Sequence, residues 1–350
     1  MGREVFIIGG GLAGWRAAEA AVTGGASVTL VANGSGNSPH IHALNCPVLP
    51  EDSIALYVED TLSSGKYQND RALVETMCRE SLALRKEFKF DSTVIRPLGS
   101  SVPRCVSIRH SIGKIALNAI RAKLKDTVQV EERTVTAGEV AALREENPEL
   151  KIIIATGGWC GKYKFSDNPS YLKGDGLAIA EALGAALKDV DEAHVQYEPT
   201  VRLEGAQRGI PVITTLLFEG ARLMTPEGRE FLENTRLNKD ELSQAIFRIG
   251  GTAIYDLSDV AEERILECNM DPTERIIPVA PAPHSSLGGV VIDTKCHVLD
   301  RNGKIVPGVF ACGEVTAGIH GLNRLGGNGG TAAMVFGAVA GREAANEWRR

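Results

Sequence analysis

Two glycine-rich loops, one near each end of the 350-residue chain, constrain the fold most strongly. The first is Gly9-x-Gly11-x-x-Gly14, which follows an apolar run from Glu4 to Ile8 and precedes an Ala-rich helical stretch from about Leu12 to Val22. Its glycines permit a tight turn, a close approach of the backbone to pyrophosphate, and close packing of the helix. A second apolar run at 27–32 completes a βαβ unit, so this end of the chain predicts a dinucleotide-binding fold.

The second loop lies between Gly313 and Thr331. An apolar run from Val309 to Cys312 leads into it, and an apolar stretch rich in Ala and Gly follows it to Ala345. A strand, a glycine loop and a helix N-terminus form a site where backbone N–H groups face an anionic or electron-rich group. Two such loops at opposite ends of one chain therefore indicate one long cofactor that is held at both ends.

The composition excludes several classes of function. The chain is 43% hydrophobic and 23% charged, with a net charge of -6, so neither nucleic acid nor an anionic membrane is expected as a partner. No apolar stretch is long enough for a membrane span, and no signal-peptide pattern opens the chain. The seven cysteines form no C-x-x-C pair, which argues against zinc or iron–sulfur ligation and is typical of a reducing compartment. We therefore predict a cytoplasmic protein without a metal site.

The identity of the cofactor depends on two polar positions. An Asp or Glu usually ends the second strand of a dinucleotide fold and binds ribose, but here Asn33 follows that strand. Loss of this carboxylate would weaken the binding of NAD more than the binding of a large flavin dinucleotide, which has several other anchors. The sequence therefore favours FAD. Glu314 is predicted to hydrogen-bond the ribityl chain. A helix that begins at 328–331 would place its N-terminus at the pyrimidine edge of the flavin, where reduced flavin is negatively charged. The residues predicted to contact FAD are Gly9, Gly11, Leu12, Ala13, Gly14, Asn33, Ala155, Thr156, Gly157, Asp175, Gly313, Glu314, Asn328, Gly329 and Gly330.

The middle of the chain continues the α/β pattern. A buried strand with a glycine turn is predicted at 151–158, and Gly174-Asp175-Gly176 precedes a predicted helix from Leu177 to Leu187. Apolar spacing predicts a second helical segment at 71–88. A polar turn is predicted at 145–148.

A change in the pattern of predicted elements indicates an inserted domain. Between about 192 and 281 the chain consists of short strands, charged turns and two modest helices, at 239–249 and 259–269. We therefore predict an α/β protein with a Rossmann-like FAD-binding domain at 1–191 and 282–350. The inserted segment 192–281 is predicted to form a smaller α+β capping domain.

These segments, in this order, resemble the flavoprotein family of fumarate reductase, succinate dehydrogenase and L-aspartate oxidase. The matching segments are Gly9–Gly14, Val58–Leu62, Met77–Glu80, Ala155–Gly158, Gly174–Gly176, His284 with Gly288–Val290, and Gly313–Asn328. The resemblance implies a two-domain FAD fold with a cap over the flavin and a substrate carboxylate held near it. It implies that Arg324 clamps this carboxylate and that His284 hydrogen-bonds another substrate oxygen. The sequence does not extend into the C-terminal helical domain that several relatives have.

The predicted cap departs from the family pattern. Glu198-Pro199-Thr200 stands where the family has His-Pro-Thr, and Lys239-Asp240 stands where it has Arg-Asp with the proton-donating arginine. Ile213-Thr214 and Leu217-Phe218 replace the residues that hold a second carboxylate. We therefore predict a less polar cap, with Lys239 or Glu198 handling the proton.

Two further sets of residues were weighed against the family pattern. His40 and His42 lie out of register with the histidine that bears covalent flavin in some relatives, so FAD is predicted to be non-covalent. Arg222, Arg236 and Arg248 are more typical of surface charges than of a replacement for the proton-donating arginine.

The leading hypothesis is an FAD-dependent oxidoreductase of the fumarate reductase and succinate dehydrogenase type. It would move a hydride between flavin N5 and a carbon adjacent to the carboxylate of a small substrate. One alternative is an L-aspartate oxidase-like amino-acid oxidase. Another is an FAD-carrying electron-transfer subunit with a partner subunit. The missing second-carboxylate residues count against both fumarate and aspartate as substrates.

Overall fold

A central parallel sheet and a smaller antiparallel sheet organise the structure. The computed structural model describes residues 3–87, 94–97, 99–106, 112–232, 237–268 and 270–349. The strands of this part of the chain are β1 (Glu4–Ile8), β2 (Ser27–Val31), β3 (Leu44–Asn45), β4 (Val94–Ile95), β5 (Cys105–Val106), β6 (Val128–Glu131), β7 (Lys151–Ile154), β8 (Leu187–Lys188), β9 (Val195–Arg202), β10 (Arg222–Met224), β11 (Ala253–Asp256), β12 (Ile276–Ser286), β13 (Gly289–Val290), β14 (His297–Leu299) and β15 (Ile305–Ala311). The α-helices are α1 (Leu12–Thr23), α2 (Ile54–Ser64), α3 (Arg71–Glu80), α4 (Leu82–Glu87), α5 (Ile112–Leu124), α6 (Ala137–Glu146), α7 (Asp175–Ala182), α8 (Lys239–Arg248), α9 (Glu262–Glu267) and α10 (Asn328–Asn346).

The central sheet has the strand order β14-β15-β7-β1-β2-β6. All neighbouring strands in it are parallel except β14, which pairs with β15 in the antiparallel sense. Val5 and Ile7 of β1 are completely buried, as expected for a strand that is covered on both faces. The carboxyl ends of the parallel strands lie along one edge of the sheet, where ligands of such folds bind. The predicted α/β fold with a parallel sheet is confirmed.

Helices α1 and α10 bring the two ends of the chain together behind this edge. A side chain at Gly341 would place its Cβ 2.0 Å from the carbonyl oxygen of Ala17. A side chain at Gly337 would lie 2.5 Å from the carbonyl oxygen of Ala13. The two helices therefore cross at a distance that only glycine allows, and this contact fixes both glycine loops relative to each other.

A second unit is built on the antiparallel sheet β10-β11-β12-β9. It has its own apolar cluster, in which α8 and α9 pack with residues such as Leu242, Ile246 and Ile265. Strand β12 continues to Ser286 and pairs with β9 along its length, so the predicted domain limit at 281 falls inside this strand. We refer to residues 195–286 as the antiparallel unit.

Three local predictions differ from the structure. The segment predicted as one helix at 71–88 contains two helices, α3 and α4, separated at Ser81, whose hydroxyl donates to the carbonyl of Cys78 at 2.8 Å. Its last residue, Phe88, lies outside the described residues. The predicted turn at 145–148 begins inside α6, which starts with a capping box at Thr136. Helix α7 ends at Ala182 rather than at 187, because the chain turns at Gly184 with φ 93°.

A partly buried ion-pair cluster joins the end of α10 to the sheet. The ring of His297 lies 2.8 Å from Asp293 Oδ2 through Nδ1 and 3.4 Å from Glu347 Oε1 through Nε2. Hydrogen bonds to Asp293 and then Glu347 raise the pKa of His297 to about 9. The hydrogen bond from His297 and the charge of Lys151 lower the pKa of Glu347 to about 2.

This cluster predicts a loss of stability in mild alkali. Because the pKa of His297 is raised on folding, its contribution is complete below about pH 6.5 and disappears as the pH rises through about 9. We expect the wild type to lose on the order of 2 kcal/mol more unfolding free energy between these pH values than His297→Gln. Urea unfolding of both proteins at pH 6.5 and 9.5 measures the difference. An equal loss in the variant would contradict the assignment.

Candidate active site

A cavity of about 790 Å³ lies between the carboxyl edge of the central sheet and the antiparallel unit. Its volume is typical of sites that enclose a cofactor or a drug-sized ligand. The loops after β1, β2, β6, β7 and β15 form one side, and residues of β9, β12 and α8 form the other.

The first glycine loop forms one end of the cavity. Gly9 adopts φ 124°, and a side chain there would place Cβ 2.1 Å from the carbonyl oxygen of Ala155. Gly11, Leu12 and Ala13 also line the cavity, and the N–H of Leu12 donates to Ser38 Oγ at 2.7 Å. The helix N-terminus therefore points to the cavity.

Gly14 packs α1 against the turn, as the motif predicts, and its contact with FAD stays a prediction. It does not line the cavity. A Cβ at Gly14 would lie 1.9 Å from the carbonyl oxygen of Gly9 and 3.5 Å from the Cβ of Ala155. Gly14 thus acts through the close packing of α1 on the turn.

Asn33 lines the cavity at the end of β2, together with two segments that the sequence analysis did not assign. One is 34–43, which Arg121 supports by donating to the carbonyl of Gly10 at 3.2 Å and to Ser35 Oγ at 2.8 Å. The other is 133–135, directly after β6. The position of β6 next to β2 in the sheet was the missing information, because it brings this carboxyl end to the same edge.

The turn after β7 contributes Ala155, Thr156 and Gly157, and the start of α7 contributes Asp175. Thr156 Oγ1 is buried without a hydrogen-bond partner among the described residues. A buried hydroxyl of this kind is normally satisfied, so its position on the cavity wall fits a polar ligand.

Glu314 follows Gly313 at the end of β15, and both residues line the cavity. Its Oε1 accepts hydrogen bonds from the N–H of Ser286 at 3.1 Å and from the hydroxyl of Ser286 at 3.3 Å. Burial raises the pKa of Glu314, and the Ser286 hydrogen bonds oppose this shift. The carboxyl is therefore held at the cavity wall, where it can meet a hydroxyl of a long ligand.

Arg324 lies in the second glycine loop and lines the cavity. Its Nη2 donates to Ser285 Oγ at 3.2 Å, and a Cβ at Gly329 would lie 2.9 Å from its Nη1. Desolvation lowers the pKa of Arg324, whereas the charges of Glu314, Glu198 and Asp167 oppose this shift. A desolvated guanidinium of this kind is suited to a planar anion.

Gln196 of β9, which the sequence analysis missed, holds the backbone around Asn323 and Arg324, a segment that we call the arginine loop. Its Nε2 donates to the carbonyl of Arg324 at 2.8 Å and to Asn323 Oδ1 at 2.7 Å. Gln196 is 3% exposed, so the antiparallel unit fixes the arginine loop through a buried contact.

Asn328 lies outside the cavity lining, unlike its neighbours Gly329 and Gly330. Its Oδ1 accepts from the hydroxyl of Tyr57 at 2.7 Å and from Asn45 Nδ2 at 2.8 Å, and its Nδ2 donates to Thr61 Oγ1 at 3.1 Å. The side chain is completely buried and ties the start of α10 to α2 and β3. Its contact with FAD stays a prediction.

Lys239 and Glu198 form one ion pair on the cavity wall. Glu198 lies on the same face of β9 as Gln196, and Lys239 is the first residue of α8. The side chain of Glu198 is 5% exposed, so Lys239 neutralises an almost completely buried carboxylate.

His284 lies on β12 at the cavity and contacts Asp167, which the sequence analysis did not assign. Its Nδ1 is 2.6 Å from Asp167 Oδ2, and the side chain of Asp167 is 4% exposed. The Nδ2 of Asn168 donates to Asp167 Oδ1 at 2.9 Å and to the carbonyl of His284 at 2.7 Å. Asp167 and His284 are far apart in the chain, and no local pattern marks their contact.

His320 also lines the cavity and was not assigned a role. Desolvation, with the adjacent charge of Arg324, lowers the pKa of His320 to about 3. The ring is therefore neutral at physiological pH, so the positive charge beside it belongs to Arg324.

Two of the other arginines considered from the sequence, Arg222 and Arg248, do not line the cavity. Arg222 pairs with Asp256 at 2.9 Å, Arg248 is exposed on α8, and Arg236 lies outside the described residues. Within the described ranges, no group of three or more His, Cys, Asp or Glu side chains is placed to hold a metal ion. No helix in the described part of the chain has the length and hydropathy of a membrane span.

The sequence and the fold both match known proteins. The sequence model of a family described as FAD binding domain matches residues 4–111 and 120–329. The L-aspartate oxidase of Saccharolobus solfataricus is 30% identical over 364 residues, covering 95% of this chain and 75% of that protein. The fumarate reductase (cytochrome) of Shewanella frigidimarina is 26% identical over 447 residues, covering 98% of this chain and 77% of that protein. A solved quinol-fumarate reductase with menaquinol molecules has a TM-score of 0.81 at 22% identity, covering 98% of this chain and 70% of that one, which shows a shared fold.

Proposed function

The chain belongs to the family of FAD binding domains, and on this premise we propose that it transfers a hydride between the flavin and the carbon–carbon bond that adjoins a substrate carboxylate. It is an FAD-dependent oxidoreductase, and the predicted family resemblance and cofactor are both confirmed. The position of Arg324 supports the proposal most directly. It is a desolvated cation inside the cavity, next to the start of α10.

The wall of the cavity offers a fitting surface for FAD. Gly9 and Gly11 leave room for a pyrophosphate at the N-terminus of α1, and Asn33 would hydrogen-bond the ribose. Glu314 would hold the ribityl chain, and the start of α10 would face the pyrimidine edge of the flavin. Bound FAD supplies the acceptor or donor of a hydride.

Arg324 would orient the substrate by binding its carboxylate through two parallel N–H donors. His284, on strand β12 of the antiparallel unit, would hydrogen-bond a further substrate oxygen. Two other cations of the cavity wall are already paired, Lys239 with Glu198 and Arg202 with Glu274. A second substrate carboxylate would therefore have to compete with Glu198 or Glu274 for these two cations, and an unpaired buried charge is costly. The proposal favours a substrate with one carboxylate.

The antiparallel unit would act as the cap of this site. It contributes Glu198, Lys239 and His284 to the cavity, and its residues 210–213 add an apolar surface. A cap excludes water, which strengthens the contact between Arg324 and a carboxylate.

An amino-acid oxidase is the second candidate, favoured by the 30% identity to a protein named L-aspartate oxidase. The carboxylates of Glu198 and Asp167 line the same cavity as Arg324 and could accept hydrogen bonds from a substrate ammonium. L-Aspartate and L-alanine therefore belong in any substrate screen.

A ligand screen tests the proposed function. We expect crotonate, fumarate, succinate, propionate or one of the two amino acids to raise the melting temperature of the FAD-loaded protein. The same compound should oxidise or reduce the flavin under anaerobic conditions, followed by its absorbance. Absence of any effect across this panel would contradict the proposal. An electron-transfer partner subunit stays a prediction.

The predicted non-covalent attachment of FAD has a separate test. We expect the purified protein to be yellow and to release all of its flavin into the supernatant on acid denaturation, because His40 and His42 lie out of the covalent pattern. Absorbance of supernatant and pellet measures the partition. A yellow pellet would show a covalent bond. A colourless protein whose melting temperature does not respond to added FAD would contradict the cofactor assignment.

A further inference from the structure

We propose that His284 and Asp167 form the acid–base pair of the substrate site, in which His284 transfers the proton that accompanies the hydride. Asp167 is a positioning residue that holds the Nδ1 side of the ring and leaves Nε2 for the cavity. This inference rests on the proposed hydride transfer and replaces two predictions, that Lys239 or Glu198 handles the proton and that His284 hydrogen-bonds a substrate oxygen.

The geometry fixes one tautomer of the histidine. The 2.6 Å contact between Nδ1 and the buried Asp167 carboxylate requires a proton on Nδ1, because a carboxylate only accepts hydrogen bonds. Neutral His284 then has its lone pair on Nε2, and protonated His284 carries its transferable proton there. This is the arrangement by which a buried Asp orients a catalytic histidine.

Asp167 is itself held from two directions. Asn168 donates to its Oδ1 and to the carbonyl of His284, so one amide group spans the pair. The Oδ1 of Asn168 accepts in turn from Asn37 Nδ2 at 2.7 Å. Asn37 lies in the loop after β2 that lines the cavity, which couples the pair to the predicted cofactor loop. A base locked in this way loses little entropy when it meets a substrate.

The Lys239–Glu198 pair is less suited to proton transfer. A proton that leaves Lys239 would leave the buried Glu198 carboxylate without its counter-ion, which is unfavourable. Asp167 keeps its two donors, Nδ1–H and the Asn168 amide, whether or not Nε2 is protonated.

The chemical step balances with one proton and one hydride. In reduction of a carbon–carbon double bond conjugated to a carboxylate, the Nε2–H bond of His284 breaks and a C–H bond forms at the carbon next to the carboxylate. The imidazolium would become neutral imidazole, and bound reduced flavin would supply the two electrons as a hydride to the other carbon of the double bond. Oxidation is the reverse, with neutral Nε2 taking the proton.

Ring-nitrogen NMR of the FAD-loaded protein labelled with ¹⁵N-histidine tests the pair without a substrate. We expect neutral His284, assigned by its loss in His284→Gln, to carry its proton on Nδ1. In Asp167→Asn the amide oxygen stays opposite Asn168 and the NH₂ group faces His284, so the proton should move to Nε2. Asp191→Asn is the matched control, because Asp191 contacts His194 Nδ1 at 2.8 Å outside the cavity lining. A wild-type ring protonated on Nε2 would overturn the proposal.

Anaerobic stopped-flow reoxidation of the photoreduced flavin by crotonate or fumarate tests the role in turnover. We expect His284→Gln and Asp167→Asn to lower the rate at saturation by about 100-fold or more, as loss of general acid catalysis does. The half-saturating concentration in Asp167→Asn should stay within about 3-fold of the wild type, since Arg324 still binds the carboxylate. Asp191→Asn should match the wild type.

The two measurements separate the possible failures. A wild-type saturating rate in Asp167→Asn would overturn the acid–base pair. If neither probe reoxidises the wild-type flavin, the proposed reaction is contradicted for these substrates, and the tautomer measurement alone decides the pair.

Discussion

Arg324→Ala is expected to weaken the binding of a carboxylate substrate by roughly 30- to 4,000-fold, which corresponds to about 2–5 kcal/mol for a truncated buried charge pair. FAD should stay bound, because Gly9, Gly11 and the carboxyl of Glu314 line the cavity independently of the Arg324 side chain. The effect is expected to be large because Lys239 and Arg202, two further cations of the cavity wall, already pair with Glu198 and Glu274. Perturbation of the flavin absorbance by the tightest carboxylate of the screen measures the dissociation constant.

Two variants make this prediction specific. Arg324→Lys keeps the charge but loses the planar fork, so it should recover only part of the affinity. Arg248→Ala removes an exposed arginine of α8 and should bind the carboxylate as the wild type does. Unchanged binding by Arg324→Ala would show that the clamp is assigned to the wrong residue.

Gly9→Ala is expected to lower the unfolding free energy by about 3–6 kcal/mol and to abolish FAD binding. The backbone at Gly9 has φ 124°, a conformation that L side chains rarely adopt. The added methyl group would also lie 2.1 Å from the carbonyl oxygen of Ala155, at the carboxyl end of the central strand β7. Relief requires movement of the turn, and the turn is the surface that receives the pyrophosphate.

Gly138→Ala is the matched control for this substitution. Gly138 lies in the exposed first turn of α6, and a Cβ there has no neighbour within 4 Å. Alanine favours a helix over glycine, so this variant should gain roughly 0.5 kcal/mol. Urea unfolding and the flavin content per chain distinguish the two variants. A Gly9→Ala protein with wild-type stability and flavin content would contradict the steric argument.

Much of the cofactor side of the site could be predicted from sequence, because its residues are adjacent in the chain. Gly9, Gly11 and Asn33 belong to one βαβ unit, and Gly313 and Glu314 follow one strand. Local turn chemistry marks such positions directly. The same local patterns do not determine whether a residue of these loops faces the cavity or the protein interior. Gly14 and Asn328 both belong to the glycine motifs, but neither lines the cavity. Gly14 packs against Gly9, and the side chain of Asn328 accepts a hydrogen bond from Tyr57.

The substrate side of the site was harder to predict from the sequence, because its contacts join segments that are distant in the chain. Gln196 reaches the arginine loop across 128 residues, and Asp167 reaches His284 across 117 residues. Strand β12 brings His284 next to β9, and the segment before α7 brings Asp167 into contact with His284. No spacing rule connects these positions.

The sequence by itself determined the α/β class, the family and FAD, because these depend on short glycine motifs whose backbone geometry is local. Only the tertiary structure decided which polar groups pair across the cavity. It placed Lys239 against Glu198 and His284 against Asp167, and it left Arg324 desolvated beside Gly329. The physical reason is that the chemistry of a charged side chain depends on its burial and on its partner, and both come from strands that meet only in the folded chain.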